Sequence, residues 1–498
     1  MFTLVLLLFG GVITDDFLVE PDSVKGHQIS SSVAILPNGN FAVAWKDSIP
    51  TDNKWFSYGD VYIRFFDKNG EAITASRRLN YDSVASRPLL AADENGRVLC
   101  LWCASNENTF GGSLAAQVFD SIGQPVTERT LIVRDSIGTE YTECAAIPGG
   151  GYWIVFSIGE TLWGQRLDSM CNPVRERVKV WNCTAEHPVW GNVSTGVSPD
   201  GAAVVAWFYN PSYSYWFNCF QIVDSSNNLV IPSGPDTFRL VSEDHVLNKL
   251  HRQTRIRWLD EDRFAVFWLK YPRIEVNSMI NGIQVKLFDS MGDSISEVHT
   301  LLDDPHAATT YKHDPLVVTP VIGGRYAVAY ERGFDGPGFR YYRIAGFLAD
   351  TSLQRTTGIF RFASSEPHYE QQETSPCVDA DSERVVWVWE DNSRIRIDTF
   401  PYYTDIHCTI TDWDMVGVDD QPTLLPSTIE LNAALNQLAY EVQGEAMLTV
   451  YSSDGRRVLS ESITGKGEWL PQALPSGVYF ARIVAETDNA VSKLVILR

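Results

Sequence analysis

The chain has 498 residues, of which 44% are hydrophobic and 12% aromatic, enough apolar surface to exclude a disordered protein. Acidic residues outnumber basic ones 62 to 40, a formal charge of −22 that repels a phosphate backbone and removes nucleic acid from the expected partners. No run of like charges gathers this excess, so it reads as solvated surface.

In chain order, the first element is an apolar run, Thr3 to Ile13, too short to cross a bilayer as a helix and of the length of an export signal. Residues 1–14 are expected to be a signal peptide. A repeat follows, built from an apolar strand, a Gly or Asp turn, and a second strand ending in an aromatic residue. Its copies end at Trp45, Trp102, Phe156, Trp207, Trp268, Tyr330 and Trp389. Each continues into a third strand closed by an Asp turn (Asp67, Asp120, Asp168, Asp224, Asp289), then a fourth, as in RRLN, RTLIV, ERVKV, FRLV and VHTLL. Four antiparallel strands per copy and almost no helical periodicity predict an all-β fold, a seven-bladed β-propeller over residues 15–405.

The seventh copy supplies PCVDA, RVVWVW and SRIRIDTF but no fourth strand, while FLVEPDS near the start resembles LIVRDS. Residues 17–20 are therefore expected to lie antiparallel to residues 394–400 and to close the ring, removing an exposed sheet edge. The repeats resemble the propeller-like repeats of large secreted bacterial proteins over roughly residues 27 to 405. That likeness implies a fold rather than a function.

Residues 406–426, acidic and Pro-containing, read as a linker. Residues 427–498 read as a small Ig-like β-sandwich with turns at 453–455, 465–467 and 476–477, Gly455 and Gly477 being placed for positive φ. The runs that include Val450, Tyr451, Gly455 and Arg456, then Leu474, Pro475, Gly477, Val478 and Tyr479, and the terminal Lys493 to Arg498, resemble the C-terminal type A sorting domain of the bacterial type IX secretion system. The resemblance implies export by that machinery to the medium or the outer-membrane surface. The early Tyr-Pro-Asn-Pro element of many members is missing.

Among the eight cysteines only Cys171 with Cys183 is spaced for a local disulfide; Cys100 and Cys103 are an odd step apart in a strand and face opposite ways. Buried free thiols are expected for most of them. His306 and His313, among Asp303, Asp304 and Asp314, match no metal-ligand spacing, and no zincin, nucleophile-elbow or P-loop motif occurs. No cofactor and no metal are expected.

In a four-stranded blade the loops between second and third strands and between blades emerge on one face. These are the long loops, and they carry Trp55, Phe56, Tyr58, Phe110, Tyr209, Tyr213, Tyr215, Trp216, Tyr271, Phe334 and Phe339, rings suited to sugars or peptide side chains. The expected function is a monomeric, secreted or cell-surface binding or adhesive protein for an extracellular glycan or protein ligand. The alternative is a propeller enzyme acting on extracellular polysaccharide, a glycoside hydrolase or lyase, whose two carboxylates would meet in the central funnel.

Overall fold

A computed structural model describes residues 12–21, 27–48, 59–80, 84–85, 87–105, 112–159, 161–182, 193–209, 215–231, 238–241, 246–247, 254–270, 282–304, 316–336, 339–362, 373–391, 404–414, 429–434, 437–452, 457–469, 474–485 and 489–496. All regular structure among them is β. The chain forms two compact domains, Met1–Asp420 and Gln421–Arg498.

In the first domain the repeats are antiparallel meanders. The first runs His27–Ile35, Phe41–Ser48, Asp60–Phe66 and Arg77–Arg78, each strand paired with the next. The second and third share one long strand, Thr130–Ala146, whose beginning pairs with Gly112–Phe119 and whose end pairs with Tyr152–Ile158. What reads in the sequence as a fourth strand, a connection and a new first strand is continuous extended backbone. The repeats opening with Ser194–Val197, Thr254–Trp258, Leu316–Val318 and Glu373–Ala380 follow the same order.

Alternation makes both faces of each meander apolar, and the faces bury against the neighbours on either side. Cys100 packs with Ala34 and Ile63 of the preceding repeat, whereas Cys103 packs with Cys144 and Phe156 of the following one. The aromatic anchors are all buried. One such core joins the ends of the series, Val386, Val388 and Cys408 of the last repeat packing with Val33, Val43 and Trp45 of the first.

The ring closes through Val12–Leu18, which pairs antiparallel with Asp405–Asp412, Phe17 opposite Cys408 and Leu18 opposite His407. Closure from the N-terminal side agrees with the expectation; the partner differs. The third strand of the last repeat is DIHCTITD, paired along its whole length with Arg384–Asp391, whereas residues 394–400 lie outside the described residues. The first domain thus extends past residue 405 into the presumed linker, because Ile406, Cys408 and Ile410 complete the core against the first repeat. Likewise the strand starts at Val12, inside the segment expected to be a signal peptide.

Two kinds of turn recur. In six repeats the carboxylate of an Asp accepts the backbone N–H groups two and four residues on, as Asp168 does from Met170 and Asn172, both at 2.8 Å. Partial burial alone would raise the Asp168 carboxyl, but these donors hold it below the usual range. Arginines then brace neighbouring repeats across the turns: Arg166 donates to Gly201 O at 2.8 Å and Asp224 O at 2.9 Å, and Arg384 to Lys68 O at 2.6 Å. Cys171 is a free thiol in the core, not one half of a disulfide, and Cys183 lies outside the described residues. Among the described residues no disulfide joins Cys100, Cys103, Cys144, Cys219, Cys377 or Cys408 either.

In the second domain Gln437–Ser452 is central, flanked by Ile429–Ala434, Arg457–Trp469 and Gly477–Ala485, with Asn489–Ile496 beyond. Leu448, Val450, Tyr479, Ala481, Ile483, Leu494 and Ile496 alternate into one core. Residues 465–467 are strand and not a turn: Arg457–Trp469 runs on past a register shift at Val442 to Glu445, where Gly465 has φ +62°. Gly467 serves close approach, since a Cβ there would stand 2.5 Å from the Tyr440 hydroxyl. Gly477 opens a strand opposite Ile496 without positive φ, contrary to the turn expected, and Gly455 lies outside the described residues.

Candidate functional site

The first strand of each repeat, which for the third is the end of the shared strand Thr130–Ala146, lies on the inner side of its sheet, and these inner strands meet. His27–Ile35 touches Leu89–Ala92, and the contacts continue through Thr130–Ala146, Ser194–Val197, Thr254–Trp258, Leu316–Val318 and Glu373–Ala380 back to His27–Ile35. They enclose a cavity of about 610 Å³ to which each of these strands contributes.

An inner edge strand turns unpaired N–H and C=O groups toward the cavity, and such groups need partners. Side chains of the preceding repeat supply several. Ser32 accepts from the Leu90 amide at 3.0 Å, Ser194 from that of Ile256 at 3.1 Å, and Asp379 from that of Ile35 at 2.8 Å. Arg255 Nε donates to Leu316 O at 2.9 Å and Arg257 Nε to Val318 O at 2.6 Å.

The charged residues on the wall are Arg87, Glu143, Arg255, Arg257, Asp260 and Asp379. Asp379 lines this cavity and is half-buried. This burial pushes its carboxyl up to about 6, against the N–H donors of Ile35 and Ala380 and the Arg257 charge. Both of its oxygens serve backbone amides, so Asp379 caps strands and is poorly placed to shuttle a proton. Glu143 Oε1 accepts from the Cys144 amide at 3.2 Å. Burial, then the Arg255 charge, lower Arg257 to about 10, partly offset by Glu143 and Asp379.

The aromatic candidates are distributed differently from expectation. Tyr209 ends Ala203–Tyr209, Tyr215 and Trp216 open Tyr215–Val223, and Phe334 and Phe339 sit in the hairpin of Arg325–Gly336 and Phe339–Asp350. These five belong to strands, not loops, because the ladders run on beyond the buried anchors. All five lie at the second-to-third-strand end of their sheets. Trp55, Phe56, Tyr58, Phe110, Tyr213 and Tyr271 lie outside the described residues. Of the residues matched to a sorting domain, Val450 and Tyr479 are in the second core, Leu474 packs against it, and Tyr479 donates to Pro475 O at 3.0 Å. Tyr451, Val478 and Lys493 stand in its paired strands, while Arg456 and Arg498 lie outside the described residues.

The wall charges were missed in the sequence, yet a signal for them was there. Register aligns Arg257 with Ala34, Ala91, Ala145 and Gly196 of other repeats. A charge where other copies hold a small residue marks a special position. Asp303 ends a strand and Asp304 is buried against Arg332 at 2.9 Å, while His306, His313 and Asp314 lie outside the described residues. Among the described residues no group of three His, Cys, Asp or Glu side chains could hold a metal.

A ring of four-stranded antiparallel sheets around a shared cavity, closed by a strand from the other end of the chain, is a β-propeller. No family model and no curated protein matches the sequence. Among solved structures the chain is similar to a protein of unknown function from Dyadobacter fermentans DSM 18053, with 11% identity over 80% of this chain and 98% of that one and a TM-score of 0.45. It is similar also to the polysaccharide lyase Uly1, with 10% identity over 76% and 89% and a TM-score of 0.46. The Dos1 propeller gives 10% identity over 81% and 96% and a TM-score of 0.38. Likeness at this level carries no argument about activity, and the fold rests on the strand order above.

Proposed function

We propose that the chain is an exported binding protein of the bacterial surface or medium: a seven-bladed propeller followed by an Ig-like sorting domain, handed to the type IX secretion machinery and acting as a monomer on an extracellular ligand, a glycan in preference to a protein. The carrying observation is the cavity on which the first strands of the repeats converge. The aromatic residues at the second-to-third-strand ends stand at the end of the ring where those first strands begin. Rigid strands that carry aromatic residues at one end of the ring suit recognition of a sugar chain. Binding is favoured over hydrolysis or lysis because Asp379 is spent on backbone caps.

Two experiments test this. Binding of the full chain to an array of acidic and neutral glycans is expected, and the combined Trp55→Ala, Tyr213→Ala, Trp216→Ala variant should lose it while melting within a few degrees of the parent. Unchanged binding, or unfolding, removes the support for this face. Deleting residues 427–498 should trap the protein in the periplasm of its host, and normal surface delivery of the truncated chain would refute the sorting role.

A further inference from the structure

In six repeats one place on the inner strand stands ten residues before the aromatic anchor, and in the last repeat, with its shorter first turn, nine. Pairing puts it opposite the start of the second strand: Ile35 with Phe41, Ala92 with Val98, Ala146 with Tyr152, Val197 with Ala203, Trp258 with Phe264 and Ala380 with Val385. Pro320 holds it in the sixth repeat. Every copy is apolar there, and all of them line the cavity. Alternation does not require this, since the position one residue earlier holds Ala34, Gly196, Arg257 or Asp379 in different copies. Arg257 and Asp379 are bound to backbone groups. Three residues nearer the strand starts, about 10 Å by the rise of a strand, the wall is mixed and includes Ser32, Glu143, Ser194 and Arg255. On the other side it continues with Pro148, Pro199, Leu259, Val321 and Ile322, and Asp260 there accepts from Arg263 Nε at 2.7 Å.

Water in an apolar collar finds few hydrogen-bond partners, so a guest that displaces it gains the burial of its own apolar surface and of the wall's. Strands that enclose an axis on all sides bury a slim, unbranched chain completely. The cavity, at about 610 Å³, has the size of small-molecule sites, which combine an apolar lining with a few polar groups. We propose that the collar takes the alkyl tail of a glycolipid whose sugar stays at the end of the ring that carries the aromatic residues. This rests on the reading that the cavity holds the ligand, and narrows its class from any glycan to one with an apolar tail.

Isothermal titration of the full chain uses glucose, hexyl, heptyl and octyl glucoside and octanol, each as the dissolved monomer. Affinity is expected to rise from hexyl through heptyl to octyl glucoside, about 4-fold for each CH₂ buried. Octanol should bind more weakly than octyl glucoside, and glucose more weakly than any of the alkyl glucosides. Ala146→Leu, which fills the collar, should weaken octyl glucoside at least ~10-fold. The melting temperature of the variant is compared with that of the parent; if Ala146→Leu does not fold, Ala146→Ser, which adds a hydroxyl with little bulk, takes its place and should weaken octyl glucoside ~3-fold. An affinity independent of tail length, or unchanged in the folded variant, overturns the site. Octanol binding as tightly as octyl glucoside overturns the glycolipid as its source. Array binding to glycans alongside a failed tail series would leave the binding function standing.

Discussion

The backbone N–H of Ser30 donates to Glu390 Oε1 over 2.6 Å, joining residues 360 positions apart. Ser30 has φ +58° at a bulge in His27–Ile35, a conformation that turns its amide out of the ladder. The same arrangement recurs one repeat earlier, where Ser375, φ +51°, donates to Glu331 Oε1 at 3.0 Å. Each Glu directly follows the aromatic anchor of the preceding repeat. Glu390→Ala leaves a buried amide without its acceptor and should cost about 1 to 3 kcal/mol. Glu390→Gln, which keeps an acceptor oxygen, should cost less, and urea denaturation of both decides; equal losses would show that only side-chain packing matters.

Ring closure predicts a second effect. Phe17 lies 5.8 Å from the Phe66 ring, Val19 is fully buried, and Val19 O accepts from Arg64 at 2.8 Å. Removing residues 12–19 empties this seam and bares the edge of Asp405–Asp412, so unfolding should become easier by at least about 3 kcal/mol, with a tendency to self-associate. Thermal melting followed by light scattering measures both. An unchanged midpoint would mean that the ring is stable while open.

The third turn of a repeat ends in a left-handed residue: glycine in three cases (Gly70, Gly123, Gly292), but Cys171, Asn227 and Leu353 in the others, at φ of 64°, 70° and 65°. For a side chain this costs about 1 to 2 kcal/mol. Leu353 and Cys171 are nonetheless retained inside core clusters. Leu353→Gly should therefore be destabilising by about 1 to 3 kcal/mol, the lost burial exceeding the relieved strain. Cys171→Gly, with less to lose, should stay within about 1 kcal/mol of the parent. Chemical denaturation separates the two, and equal losses would contradict the balance.

Acid pH should stabilise the first domain through two carboxyls. Asp47 is raised to about 6 by burial and then by Asp60, Glu20 and Asp405, and Asp379 to about 6 by burial. A carboxyl raised in the folded state binds its proton more tightly there than in the unfolded chain. The contribution is thus fully present below about 4, the unfolded value, and is lost as pH rises through about 6. Asp47→Asn should raise stability at pH 7 and flatten the slope between pH 4 and 7. Denaturation midpoints at pH 5 and 7 test this, and an unaltered slope in the variant would count against it.

The repeat was legible because its signals are local. Alternation in LLAADENGRVLCLW assigns strands and buried faces, and an Asp four residues ahead of its last amide donor suffices to form the third turn. Period two also put Cys100 and Cys103 in different cores, as read from spacing alone. The last repeat shows the limit of such reading. SRIRIDTF and DIHCTITD both alternate, and nothing within either run says which one pairs with Arg384–Asp391.

By itself, then, the sequence determined the strand content, the turns and the need for a strand from the other end, since each follows from a few neighbouring residues. Tertiary structure alone decided which run closed the last sheet, which serines were twisted to meet Glu331 and Glu390, and which charges shared a wall. Arg257, Glu143 and Asp379 are far apart in the chain and feel one another only because closing the ring brings the first strands of their repeats to one cavity, where burial makes their charges matter.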